Sequence, residues 1–154
     1  RADGSFPEEA RRELYSVGDW LRTYGEAIYG TEPFEISAEG VTQGTNEDYN
    51  IERVKQQMKD GIAMESGAYR LTSRDFRFTR NGKNVYILAM GAPEDGRFTV
   101  RALGKDGCVK GDIRVTVPGL EAEVRFERTN EALTVYLPEG IKEEPVYALR
   151  VTEL

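Results

Sequence analysis

The chain has 154 residues, with 21 Lys or Arg against 27 Asp or Glu, so its formal net charge is −6 and its pI is about 4.9. A complete (β/α)8 barrel needs roughly 250 residues, so this length excludes that fold. A content of 10% aromatic residues is too high for a disordered chain. The acidic balance argues against nucleic acid or an anionic membrane as partner, because both select basic surfaces. We therefore expect one domain of ordinary size with little else.

The first part of the chain predicts one amphipathic helix. Ser5 and Glu8 have the spacing of a capping box, and Pro7 suits a first helical turn. Gly30 and Pro33 are expected to end the helix. Between these signals, large apolar residues recur at alternating intervals of three and four residues, which places them on one helix face. This predicted stripe consists of Leu14, Val17, Leu21, Tyr24 and Ile28, with Trp20 beside it.

From Phe34 onward the apolar residues mostly alternate between turn residues, which is typical of an antiparallel sandwich. The clearest unit is a hairpin over 75–90, with Asn81-Gly82 as its type I′ turn and an almost wholly apolar second strand that should be central. The predicted fold class is mainly β, an antiparallel β-sandwich of about seven to eight strands in two sheets of three to four, preceded by one amphipathic α-helix. The other strands are expected at 97–103, 112–117, 121–128, 133–137 and 146–152.

The polar stretch between Gly40 and Gly67 is the least regular part of the sequence. Ile51, Val54 and Met58 share a helical face, so one interpretation is a short helix. An extended irregular connection is the alternative.

The residue types offer none of the common catalytic or metal sites. The absence of histidine removes the commonest general base and metal ligand. The single Cys108 cannot form an internal disulfide and is interpreted as a small packing residue. Neighbouring carboxylates diverge, so they do not form the facing pair of a glycosidase; they are Glu8-Glu9, Glu47-Asp48, Glu94-Asp95 and Glu143-Glu144. We predict no catalytic, substrate-binding or metal-binding residue, and no cofactor.

Tyrosines in the predicted strands raise the alternative of a carbohydrate-binding module, in which exposed rings stack on sugars. Tyr86, Tyr136 and Tyr147 have apolar sequence neighbours, which favours a packing role. A stacking platform must be accessible, so the solvent exposure of these rings and of Tyr69 distinguishes the two interpretations.

Two segments carry a family resemblance. Residues 14–31 read LYSVGDWLRTYGEAIYGT. They closely resemble the segment L-x-x-[IV]-G-x-W-L-x-x-[NY]-G-E-A-I-Y-x-T of the α-L-fucosidases of glycoside hydrolase family 29. Residues 75–79 and 85–89, DFRFT and VYILA, resemble the hairpin that opens the C-terminal sandwich of that family. Residues 41–66 depart from the family pattern.

The resemblance implies a chain that corresponds to the C-terminal portion of such an enzyme. The family combines a (β/α)8-like barrel, which carries an aspartate nucleophile and a glutamate acid/base, with a C-terminal β-sandwich, and it hydrolyses terminal α-L-fucosides with retention. Residues 1–33 would be the last barrel helix and 34–154 the sandwich. No catalytic residue has a counterpart here, so the resemblance implies an inactive fragment of an active parent.

The implied partner is the barrel, contacted through Leu14, Val17, Leu21, Tyr24 and Ile28. Pairing of two copies through the same stripe is the alternative partner, and an independent interaction domain is a third functional class. Nucleic acid and membrane partners are not expected, because the chain is acidic and has no run of about 20 apolar residues. Family habit implies a periplasmic or extracellular location.

Overall fold

The computed structural model describes residues 4–41, 71–120, 123–141 and 143–154. These residues form one α-helix, two 3₁₀ helices and eight antiparallel strands in two sheets. The predicted fold class, a mainly antiparallel β-sandwich preceded by a helix, is therefore confirmed. The helix considered for Ile51, Val54 and Met58 lies outside the described residues.

The elements follow one another from the helix through both sheets. Helix α1 spans Glu8–Tyr24 and continues into a first 3₁₀ helix, Gly25–Ala27, while a second 3₁₀ helix, Arg101–Leu103, follows β4. The strands are β1 (Glu32–Glu39), β2 (Phe76–Asn81), β3 (Asn84–Ala89), β4 (Arg97–Val100), β5 (Ile113–Thr116), β6 (Phe126–Arg128), β7 (Leu133–Tyr136) and β8 (Tyr147–Glu153).

The larger sheet has the strand order β1-β2-β3-β8-β5, and the smaller sheet has the order β4-β7-β6. The sequence predicted a more even division of strands. Ile87 of β3 pairs with Phe78 on one side and Leu149 on the other, so β3 lies at the centre of the larger sheet. All residues from Val85 to Ala89 are buried, as predicted for a strand covered on both faces.

The two sheets meet through aromatic rings and branched aliphatic side chains. Phe98 of β4 packs edge-on against Phe76 of β2, with 6.2 Å between ring centroids, and lies 5.7 Å from the Tyr147 ring of β8. Ile87, Leu149 and their neighbours fill the rest of this layer. Because side chains alternate along a strand, the residues between them face the other side of the larger sheet.

Strand β1 was not among the strands listed from the sequence. It forms the edge of the larger sheet and pairs with β2, but its register shifts between Pro33 and Ala38. Phe34 is buried and lies 6.1 Å from Phe78, whereas Ile36 is exposed. The sequence of this strand alternates between apolar and polar residues, but with the register shift the burial does not follow that alternation.

Several local predictions were wrong at the ends of elements. The β2-β3 turn is Gly82-Lys83, because Asn81 pairs with Asn84 across the hairpin, and Gly82 takes the positive φ of 57°. Pro7 is the helix N-cap, and no side chain caps the helix there. Ser5 therefore lies too early in the chain to form the predicted capping box.

A loop of the sandwich is fixed by one guanidinium group. Arg128 donates to the carbonyl oxygens of Leu103 at 2.9 Å, Gly104 at 3.2 Å, Val109 at 2.5 Å and Gly111 at 2.7 Å. The planar guanidinium thus donates to four backbone carbonyl oxygens, of which that of Gly104 also accepts from the backbone N–H of Gly107. This arrangement sets the course of the loop between β4 and β5.

Candidate functional site

The second half of α1 packs on the face of the larger sheet that points away from the smaller sheet. Tyr24 is only 5% exposed, and its ring lies 5.3 Å from that of Trp20. The Trp20 indole Nε1 donates to the carbonyl oxygen of Val146 at 2.8 Å. Trp20 thus packs against the core and contacts the sandwich through its only side-chain donor.

The first 3₁₀ helix continues this contact along the sheet. Ala27 is fully buried, and its carbonyl oxygen accepts a hydrogen bond from the Thr79 hydroxyl at 2.7 Å. Arg150 of β8 pairs with Glu26 at 3.0 Å. The ion pair is partly exposed and therefore contributes little energy, but it fixes the position of the turn.

Residues 8–17 of α1 extend beyond this contact. An apolar surface begins there and ends at the half-buried Leu21; we call it the free stripe and define it as Leu14, Val17 and Leu21. Leu14 is 57% exposed and Val17 is 54% exposed, while Leu21 is half-buried. Spacings of three and four residues place them on one side of the helix. Covering a large apolar side chain contributes roughly 1.5 to 3 kcal/mol, so the free stripe suits a protein partner.

The predicted stripe was too long at its C-terminal end. Tyr24 faces the sandwich core and is not available to a partner. Ile28 is exposed, but it follows the 3₁₀ helix and therefore does not continue the angular series of the α-helix. The sequence pattern could not distinguish Tyr24, which faces the sandwich, from the free stripe. Residues on both surfaces recur at the same helical spacing.

The side of α1 away from the free stripe borders a groove of about 660 Å³. The groove lies between the helix and two loops of the sandwich, which approach at 118–120 and at Gly140, Ile141 and Glu144. Thr23 lies so close to Gly119 that a Cβ at that glycine would be 2.8 Å from the Thr23 methyl carbon. The second half of the helix is therefore held from this side as well.

A second cleft, of about 780 Å³, opens at the end of the sandwich beside β4. Arg97 and Arg101 line it, but Arg97 pairs with Asp95 at 2.7 Å and Arg101 lies 3.9 Å from Glu39. With Arg74 and Glu94 the lining carries three arginines and three carboxylates, so its formal charges balance and it offers no net charge to an ionic ligand. Its floor includes Phe76.

The tyrosines considered for sugar stacking are not arranged as a platform. Tyr86 is 3% exposed and Tyr147 is 2% exposed, so both are packing residues. Tyr136 is half-buried, and the Arg125 guanidinium lies 4.4 Å from its ring centroid and covers one ring face. Burial, and after it the charge of Glu26, raises the pKa of Tyr86. Tyr69 lies outside the described residues.

The remaining candidate groups show no convergent chemistry within the described part of the chain. Glu8, Glu9, Glu94 and Asp95 are exposed, and no three His, Cys, Asp or Glu side chains there form a group that would hold a metal ion. Glu47 and Asp48 lie outside the described residues. Burial, followed by the charge and hydrogen bond of Glu35, raises the pKa of the half-buried Cys108 thiol. In the described ranges no helix is long and apolar enough to cross a membrane.

Comparison with known proteins gives a structural likeness only. No protein-family model matches the sequence, and no curated protein matches it at a significant level. Among solved structures, the chain has the fold of part of the α-L-fucosidases, which confirms the resemblance seen in the sequence at the level of the fold.

Three of these solved structures illustrate the match. An α-fucosidase of Thermotoga maritima, in complex with a mechanism-based inhibitor, superposes with a TM-score of 0.66 at 20% identity, covering 99% of this chain and 28% of that one. A further α-L-fucosidase gives 0.64 at 21% identity, over 99% and 27% of the two chains. A family 29 α-L-fucosidase of Bacteroides thetaiotaomicron, a trapped covalent intermediate, gives 0.57 at 18% identity, over 99% and 26%. The chain thus spans little more than a quarter of the proteins it resembles.

Proposed function

We propose that these 154 residues are the C-terminal sandwich portion of a retaining exo-α-L-fucosidase that removes terminal α-L-fucosides from glycans. The sandwich acts as a structural partner of the catalytic barrel and has no hydrolytic activity of its own. The observation that carries the proposal is the match over 99% of this chain to α-L-fucosidases of which it covers about a quarter. The motif at 14–31 supports it independently.

The free stripe supports the proposed role of the barrel as partner. Leu14, Val17 and Leu21 form an apolar surface on a helix whose other end is anchored to the sandwich. A neighbouring domain would remove this surface from water, which is favourable in proportion to the area covered. Ile28, which is exposed nearby in the chain, is a further contact in this proposal, whereas Tyr24 is not. The division of the chain at residues 33 and 34 remains a prediction from the sequence.

The coding DNA upstream of Arg1 tests the proposal most directly. We expect it to encode a (β/α)8-like domain with an aspartate nucleophile and a glutamate acid/base. The longer product should hydrolyse 4-nitrophenyl α-L-fucoside, while the purified 154-residue chain should not exceed the buffer blank. Turnover by the short chain, or an upstream sequence of a different class, would overturn the assignment.

The docking role needs its own variants in the longer product. Val17→Asp places a charge in the free stripe, and Ser16→Asp places the same charge on an exposed helix position that points elsewhere. We expect Val17→Asp to lower the melting temperature of the longer protein and to leave the isolated chain unchanged, with Ser16→Asp neutral in both. Sedimentation of the isolated chain with and without Val17→Asp measures pairing of two copies through the same stripe.

We also propose an exported location, periplasmic or extracellular, as the family resemblance implies. Fractionation of the source cells with an antibody against the sandwich tests this. Recovery of the protein only with a cytoplasmic marker would contradict it.

A further inference from the structure

The two halves of α1 have different surroundings, and this difference concerns how the chain is divided into folding units. Along residues 8–17 every side chain is exposed except the half-buried Ala10. From Trp20 onward one side is covered: Trp20 and Leu21 are half-buried and Tyr24, Gly25 and Ala27 are buried, while the other side stays exposed. The helix therefore has a free half and a docked half.

The docked half covers apolar side chains that the sandwich does not cover by itself. Val85, Ile87 and Ala89 face the smaller sheet, so Tyr86 and Leu88, which alternate with them, face the opposite side. Ala148 of β8 pairs with Leu88 and lies on that same side. All three are buried, and the first 3₁₀ helix contacts β3. The segment 20–27 is thus the cover of this face.

Polar contacts from separate strands and loops join the same segment to the sheet. Trp20 donates to the Val146 carbonyl, Thr79 donates to the Ala27 carbonyl, and Arg150 pairs with Glu26. These contacts connect residues that are 126, 52 and 124 positions apart in the chain. Contacts between residues so far apart in sequence are typical of a segment that belongs to the same folding unit as the sheet.

We propose that α1 and the first 3₁₀ helix are the third layer of the sandwich unit, and that the joint to any preceding domain lies before Glu8. The division at residues 33 and 34 expected from the sequence would instead cut through this unit. The free half of α1 is then a rigid arm fixed to the sandwich. This inference concerns the 154-residue chain itself and does not rest on the proposed function.

A cut in the folded chain tests the proposal. Gly30 is exposed and lies in the turn between the first 3₁₀ helix and β1, so a protease recognition sequence is inserted after it and cleaved after folding. We expect fragments 1–30 and 31–154 to co-elute in size-exclusion chromatography and to appear as a one-to-one complex in native mass spectrometry. Release of the small fragment with loss of the fold of the large one would equally support an integrated layer.

The opposite result is equally definite. If the small fragment leaves and the large fragment keeps the melting temperature of the uncut chain, the helix is not part of the sandwich unit and the proposal is wrong. Matched variants identify the surface involved. Tyr24→Asp, in the docked half, should release the fragment or unfold the cut protein, whereas Val17→Asp, in the free half, should leave the complex unchanged.

Discussion

The side chain of Asp75 accepts a hydrogen bond from the backbone N–H of Val41 through Oδ1, at 3.0 Å. Its other oxygen, Oδ2, accepts from both the backbone N–H and the hydroxyl of Thr72, each at 2.8 Å. Asp75 is 1% exposed and directly precedes β2. A single buried carboxylate therefore connects Val41, two residues after the end of β1, to the start of the hairpin, although Val41 and Asp75 are 34 positions apart in sequence.

Replacing this carboxylate should strongly destabilise the sandwich. Asp75→Ala leaves the donors of Val41 and Thr72 without their acceptor in a partly buried place, and we expect a loss of about 1 to 3 kcal/mol in the free energy of unfolding. Urea denaturation measures it. Thr72→Ser keeps the hydroxyl donor and should remain within about 0.5 kcal/mol of wild type. An unchanged free energy of unfolding in Asp75→Ala would show that the hydrogen bonds of this carboxylate contribute nothing.

Arg128 should be equally difficult to replace. Lysine keeps the charge but cannot direct a planar set of donors at four carbonyl oxygens, so we expect Arg128→Lys to cost about 2 to 3 kcal/mol. Arg125→Lys, at an exposed position three residues earlier and just before β6, is the matched control and should change stability little. Equal unfolding midpoints for the two variants would contradict the importance of the carbonyl contacts.

Cys108 should react slowly with thiol reagents. Its pKa is raised, mainly by burial and next by Glu35, so at pH 8 the thiolate fraction lies below that of a free cysteine. The rate of alkylation followed from pH 7 to 10 should rise later than for a small-molecule thiol, and Glu35→Gln should move the profile to lower pH.

The raised pKa of Cys108 also predicts the direction in which stability changes with pH. In the unfolded chain Cys108 ionises at lower pH than in the folded chain, so its contribution is present below the unfolded pKa and is lost as pH rises through the folded pKa. Cys108→Ser should therefore remove part of the loss of stability seen at alkaline pH. An unchanged pH dependence would mean that the thiol does not contribute.

The strand tyrosines should not bind sugar. Tyr86 and Tyr147 are buried, and one face of Tyr136 is covered by Arg125. Titration calorimetry with fucose should give no saturable signal tighter than roughly 1 mM, which corresponds to about −4 kcal/mol. Arg125→Ala uncovers the Tyr136 ring and provides the comparison. Tight binding by the wild type that Tyr136→Ala abolishes would favour a carbohydrate-binding module.

The features that could be predicted from sequence are those with one strong local signal. The run from Val85 to Ala89 indicated a central strand, and the structure confirms it because both faces of that strand are covered. Strand β1 was not among the predicted strands, although Phe34 and Ile36 alternate with polar residues. Its register shift, with Ile36 left exposed, has no signal in the sequence. Long-range polar contacts such as that of Asp75 with Val41 carry no signal at all in a single sequence.

The sequence of α1 likewise predicted only part of how the helix interacts with its surroundings. Its apolar period predicted a surface that needs a partner, and the exposure of Leu14 and Val17 agrees with it. The period could not indicate where one partner ends and another begins, so Tyr24 was assigned to the wrong surface. Only the tertiary contacts of Trp20 and Tyr24 divide the helix into its two halves.

The irregular register of β1 has a consequence for the behaviour of the protein at high concentration. An open sheet edge can recruit the same edge of another molecule and so begin an aggregate. Among the described strands the outermost one contains Pro33, which lacks a donor, and two exposed glutamates, Glu32 and Glu35, besides the register shift. Two such edges would repel each other and would not match in hydrogen-bond spacing, so this side of the larger sheet is protected against strand-to-strand association between molecules.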